Sequence, residues 1–220
     1  MHPSKATTKQ ISVKALAEFM TSSPVRQRKI VEEYKYPHIP DEIQNRLLYY
    51  REARDRIAAY HYANQSASWL EEEAVHLERI ALSLVGQTQT RFNHNARALR
   101  AYSQYFGVRK FSVLDDLNFK LQYADVSINI HPDLHISEKK KEKIIKLDFS
   151  VSDAEKEMLT IVTKIMHEGA QRNQLNLPSS AVLYFDVTQG IEYKGSALGT
   201  QMEKNVEATC YTISAIWDSL

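Results

Sequence analysis

Pro132-Asp133 and Lys146-Leu147-Asp148 stand in two apolar stretches, "INIHPDLHIS" and "KIIKLDFS", joined by the lysine-rich "EKKKEK". Alternation along a strand puts Lys146 and Asp148 on one face, with Ile145, Leu147 and Phe149 on the other. Asp133 and Asp148 could then share a divalent cation with Lys146 beside them. The plainer reading makes both acids polar residues on a partly solvated sheet face, with Lys146 as a cross-strand partner.

Other candidates carry less. "FDVTQGIEYK" places Asp186, Glu192 and Lys194 around a short turn, which reads as a polar hairpin with Gly190 supplying the turn conformation. His131 and His135 share a strand face but sit about 13 Å apart along it, too far for one ion. Cys210 lies near the apolar stripe of the last helix and reads as a packing residue. As the single cysteine it excludes an intrachain disulfide and a thiolate zinc cluster. The glycines are scattered as caps and turns, with no phosphate-cradling loop.

Arginine interleaved with tyrosine in the first half points to phosphate contact and base stacking. Arg26, Arg28 and Lys29 crowd one helix, Arg46, Tyr50 and Arg54 recur every four residues on another, and Arg97 and Arg100 precede Tyr102 and Tyr105. These eight positions, from Arg26 to Arg100 without the last two tyrosines, are the candidate nucleic-acid contacts. The alternative is a set of solvated helix faces with intrahelical pairs such as Glu52 to Arg56.

The elements that must hold these residues change character midway. "SVKALAEFM" is a helix capped by Ser12, and "SSPVRQRKIVEEYKYP" a second that starts at Ser23-Pro24 and stops at Pro37. A third is expected from about Pro40 to Tyr62, carrying Ile43, Leu47, Tyr50 and Ile57. The fourth opens on a Ser68–Glu71 capping box and ends at Gly86, and the fifth closes at Gly107. After Gly107 the apolar period falls from 3.6 to 2. A three-stranded meander follows, running "FKLQY", then "VSINIHPDLHIS" as one strand, then "KIIKLD". A Ser152–Glu155 capping box opens a helix to about Gly169. "AVLYFDV" is a strand covered on both faces, "IEYK" its hairpin partner, and a helix with Met202, Val206, Ile213 and Trp217 inward comes last.

The 220 residues suit one large domain or two small ones, with the expected boundary near Gly86: a helical region 1–86 and a mixed core 87–220. The 28 basic and 27 acidic residues give a formal charge of +1, which neither demands nor excludes nucleic acid. Residues 1–125 hold 18 Lys/Arg against 14 Asp/Glu, so a polyanion surface is expected there. With no apolar leader and no run long enough to span a bilayer, a cytoplasmic protein without membrane contact is expected.

From Thr90 onward this order of elements resembles the core of the PD-(D/E)XK nuclease superfamily. The lead-in "ISVKALAEFMTSSPVRQRKIVEEYKYP" resembles helices attached to its RecB-like members. Together with "YREARDRIAAY", "IHPDL", "LYFDVTQGIEY" and "VEATCYTISAIW", it is similar to an uncharacterised bacterial family associated with phage-defence neighbourhoods. The resemblance implies an α+β fold: a helical bundle, then helix, three-stranded meander, helix, strand hairpin and C-terminal helix. In active relatives two acids hold Mg²⁺, which activates water, and a lysine positions that water. Asp133 matches the proline-linked acid, but the acid-x-Lys order is reversed to Lys146-x-Asp148. Each group is displaced by about 7 Å along the strand, where a site tolerates about 0.5 Å. The expected function is therefore a non-catalytic accessory subunit that contacts a protein partner, DNA or RNA, and needs no cofactor. The alternative is a Mg²⁺-dependent nuclease with Asp133 and Asp148 as ligands and Lys146 near the phosphate.

Overall fold

A computed structural model describes residues 8–37, 49–107, 109–149 and 156–220. The expected Ser152–Glu155 capping box, Arg46, and the part of the third helix carrying Ile43 and Leu47 lie outside these residues.

The elements run β1 (Gln10–Ser12), α1 (Val13–Thr21), α2 (Pro24–Lys35), α3 (Arg51–Tyr62), α4 (Ala67–Leu82), α5 (Gly86–Phe106), β2 (Ser112–Val113) and β3 (Phe119–Tyr123). Then come β4 (Val126–Ile130), β5 (Leu134–Glu138), β6 (Lys141–Asp148), α6 (Lys156–Arg172), β7 (Val182–Asp186), β8 (Ile191–Lys194) and α7 (Thr200–Ser219). The protein is a mixed α+β fold with two sheets, ordered β1-β4-β3 and β2-β5-β6-β7-β8.

The expected three-stranded meander is therefore corrected to four strands shared between the sheets. The alternation that suggested one strand runs unbroken from Val126 through Ile128, Ile130, Leu134 and Ile136, all buried. At His131–Asp133 the chain nevertheless leaves one sheet and enters the other. Residues before the break pack in one core, and residues after it in a second core on the opposite side of the large sheet. Pro132, which cannot donate to a ladder, sits at the break. His131 and His135 consequently do not share a strand.

Each core takes residues from both halves of the chain. The first packs α1, α2, α6, α7 and the small sheet against Ile144, Val182 and Tyr184. The second packs α3, α4 and α5 against Ile145, Leu147, Leu183 and Phe185. β7 is buried at all five positions because helices cover both its faces. β6 and β7 run parallel, joined through α6, while β5–β6 and β7–β8 are antiparallel hairpins.

Local chemistry explains the helix starts. Ser12 Oγ accepts the Ala15 N–H (3.2 Å), the expected cap of α1. The expected Ser68–Glu71 box is not the start of α4, whose cap position lies two residues earlier, at Ser66. Gly86 opens α5 with φ 63° and does not close α4. The N-terminus of α3 is capped from a distance. Asn95 on α5, fully buried, accepts the Ala53 N–H (2.8 Å) and donates to the Tyr49 and Arg91 carbonyls (2.6 and 2.8 Å). At the far end of the first core, buried Lys35 donates to the Trp217 carbonyl (2.5 Å), satisfying an orphan acceptor of α7. Gly190, with φ 69°, faces the Tyr105 ring so closely that any Cβ would collide with it.

Candidate functional site

The acids sit at the C-terminal ends of the parallel pair β6 and β7, where open α/β sheets bind ligands. Register aligns Lys146 with Tyr184 and Asp148 with Asp186, so all four side chains emerge on the face of the first core. Asp133 precedes β5 and is anchored by its own N–H to the Ile145 carbonyl (2.9 Å).

Every one of these carboxylates meets donors from its own chain. Asp133 Oδ2 accepts the Leu147 N–H (2.9 Å) and lies 2.8 Å from Lys146 Nζ. Asp133 Oδ1 lies 3.5 Å from Arg54 Nε, whose guanidinium rests 5.8 Å from the Phe149 ring. Lys146 also donates to the His131 carbonyl (3.0 Å). Asp148, 5% exposed, accepts the Tyr184 hydroxyl on Oδ2 (2.5 Å) and pairs with Lys14 through Oδ1 (3.0 Å). Burial first, and then the negative field of Asp148, pushes the Tyr184 phenol far above its usual range. Asp186 Oδ1 accepts the Thr188 N–H and hydroxyl and the Gln189 N–H (2.8, 2.7 and 3.0 Å). It ties the β7–β8 turn, in accord with the expected polar hairpin.

This arrangement brings Asp133, Lys146 and Asp148 to one face, as the alternation requires. Magnesium takes near-octahedral oxygen ligands at about 2.1 Å. Here the oxygens of Asp133 and Asp148 face ammonium, hydroxyl and amide protons, which do not fit a bound cation as arranged. Among the described residues no group of three or more His, Cys, Asp and Glu is placed to hold a metal ion.

Of the expected nucleic-acid contacts, three are neutralised. Arg26 pairs with Glu18 and Glu33, Arg54 with Asp133, and Arg100 with Glu71 and Glu78. Tyr50 stacks on Phe149 with centroids 5.1 Å apart, and burial raises its phenol pKa. Arg28, Lys29 and Arg97 are exposed. Arg28 and Lys29 lie on α2 in the first core, whereas Arg97 lies on α5 in the second, so they form no single expected patch. Tyr102 is fully buried, and the Glu52–Arg56 pair forms at 3.4 Å. Cys210 is buried, and that burial pushes its thiol up to about 12, which suits packing.

Sequence reasoning missed Lys14 and Tyr184, whose partners lie on other elements and leave no local signal. It also missed Arg109. This guanidinium covers the Phe106 ring at 4.1 Å, donates to both Glu138 oxygens (2.8 and 2.6 Å), and reaches Glu192 (2.5 Å). Lys143 adds a 2.6 Å contact to Glu138. Arg109 foremost, with Lys143, holds the Glu138 carboxyl down at about 2 despite burial. Beside Arg109, His61 stacks on Phe111 and hydrogen-bonds Tyr102 (2.7 Å). Burial, with Arg109 adding repulsion, lowers His61 to about 3, so the ring is neutral.

No protein-family profile matches the sequence, and no curated protein matches it. Among the described residues no helix is long and apolar enough to cross a membrane.

Proposed function

We propose that the chain is an accessory, non-catalytic subunit of a protein or protein–nucleic acid complex, built on a PD-(D/E)XK-like scaffold. One observation carries this reading: the acids that would hold a metal are bonded to donors of the same chain. Asp133 is closed by Lys146 and the Leu147 amide, and Asp148 by Tyr184 and Lys14. A constellation so paired stabilises the sheet end and commits these carboxylates to partners within the chain. Purification of the tagged protein from its native host tests the reading. A partner that co-elutes through size-exclusion chromatography supports it, and a strictly solitary chain retaining no nucleic acid overturns it.

A second reading, a Mg²⁺-dependent nuclease, is favoured by a different observation. Asp133, Lys146 and Asp148 share one face at the ends of parallel strands. Incubation with supercoiled, linear and single-stranded substrates plus Mg²⁺ or Mn²⁺ decides between them. Cleavage abolished by EDTA and by Asp133→Asn selects the nuclease. The phage-defence setting rests on the sequence resemblance alone, and unchanged plating of phages on a host lacking the gene counts against it.

A further inference from the structure

The end of the five-stranded sheet remote from the acids is where unpaired charge remains. Glu138 and Lys141 face each other across a two-residue turn in which Lys139 (φ 50°) and Lys140 (φ 62°) are both left-handed. Such turns favour Asn-Gly, because a Cβ is disfavoured at positive φ. The chain keeps lysine at both positions, and Lys139, Lys140 and Lys141 are all exposed. Lys110 is exposed as well, and follows Arg109, which grips Glu138 at the base of the turn. Among the described residues none of these four lysines forms an ion pair.

The local balance is positive. Six cations (Arg109, Lys110, Lys139, Lys140, Lys141 and Lys143) face two carboxylates here, Glu138 and Glu142, bonded to Arg109, Lys143 or His135, and Arg109 reaches a third, Glu192, farther along the sheet. Against Arg109 and Lys110 opens a cavity of about 390 Å³, lined also by Tyr60, Asn64, Gln65 and Phe111, with no carboxylate among its lining residues. Tyr62, between the lining residues His61 and Asn64 in sequence, is 84% exposed. Lysines suit phosphates, a bare aromatic ring suits a base, and amide side chains suit base edges; together these are the requirements for single strands. A duplex keeps its bases stacked and offers nothing to the ring or the cavity.

We propose that this end of the sheet binds single-stranded nucleic acid, with phosphates on the Lys139–Lys141 turn and Lys110 and bases at Tyr62 and the cavity. The proposal deepens the accessory-subunit reading, and rests on it, by naming the nucleic-acid surface of such a complex.

Fluorescence anisotropy of the full chain with labelled oligo(dT) and oligo(U) of roughly 15 nucleotides tests it. The decisive variant is K139N/K140G, which removes two cations while giving the turn its preferred residues. Its affinity is expected to fall about ten-fold, and its salt slope to shallow by about 1.4, while the thermal midpoint stays equal or rises. An Arg28→Ala/Lys29→Ala variant is expected to bind as the wild type does. Unchanged affinity of K139N/K140G, equal binding of duplex, or no binding by the wild type overturns the surface. In each of those cases a partner that still co-purifies leaves the accessory-subunit reading standing; loss of the partner as well removes both.

Discussion

The two ends of β6 lie roughly 23 Å apart by strand rise and treat charge in opposite ways. At the Asp148 end, acids and cations are drawn inward and closed against each other: Asp133 with Lys146 and Arg54, Asp148 with Lys14 and Tyr184. At the Lys141 end, one layer is closed, Arg109 and Lys143 with Glu138, Arg109 reaching along the sheet to Glu192 beside Phe185, and a second layer of lysines is left open above it. Paired charge at a strand end holds structure, whereas unpaired charge on a strained turn costs stability. The left-handed lysines cost roughly 1 kcal/mol each.

The Arg109 end is the more sensitive of the two to pH. His61 has a folded pKa of about 3 against 6.5 when unfolded, so below pH 6.5 only the unfolded chain takes up its proton. Stability then falls as pH drops from 6.5 towards 3, by up to about 5 kcal/mol. Glu138, lowered from 4.5 to about 2, acts in a lower window: its contribution is full above 4.5 and lost as pH falls through 2. Urea titrations at stepped pH should show the first slope, and His61→Phe should flatten it between pH 6.5 and 5. A slope that survives the substitution would assign it to another group.

Next in size, Arg109→Met strips Glu192 of its cation and leaves Glu138 with Lys143 alone. The expected loss is about 3–4 kcal/mol in chemical denaturation, since breaking a partly buried pair strands the remaining charge. At the other end, Tyr184→Phe removes one hydrogen bond to Asp148 but leaves Lys14 in place, and about 1–2 kcal/mol should be lost. If Tyr184→Phe proves the costlier of the two, the Asp148 end is the principal structural clamp and the contrast is reversed. Smallest is Arg100→Ala on α5, whose partners Glu71 and Glu78 are about half exposed; less than about 1 kcal/mol is expected.

Much of the scaffold was legible in the residues. The nearly all-apolar "AVLYFDV" announced a strand covered on both faces, Ser12 announced the cap of α1, and the lysine-rich turn between Glu138 and Lys141 announced a hairpin. Illegibility began where a local pattern carries two meanings. Residues 126 to 136 keep one parity while the core they face changes, so periodicity could not show the break at Pro132. β1 is only three residues long and finds its partner far along the chain. At the site, the shared face of Asp133, Lys146 and Asp148 follows from alternation. Their closure by Lys14 and Tyr184 depends on how α1 and β7 dock, which no spacing encodes. The helical arginines were read by type, but Arg26, Arg54 and Arg100 find acids that only the tertiary fold brings near.

The pairing of β1 with β4 bears on how the chain acquires its shape during synthesis. Gln10 lies beside Ser127, and Lys9 reaches Asp125 across a sequence separation of 116. Closing so long a loop costs about 4 kcal/mol of chain entropy beyond a constant. β1 leaves the ribosome more than a hundred residues before β4 and must therefore wait for residues near 130 before it has this neighbour. The large sheet can nucleate on its local β5–β6 hairpin, and the small sheet is left to close late. Truncating Ile11, buried in that late pairing, should speed unfolding and leave the folding rate nearly untouched.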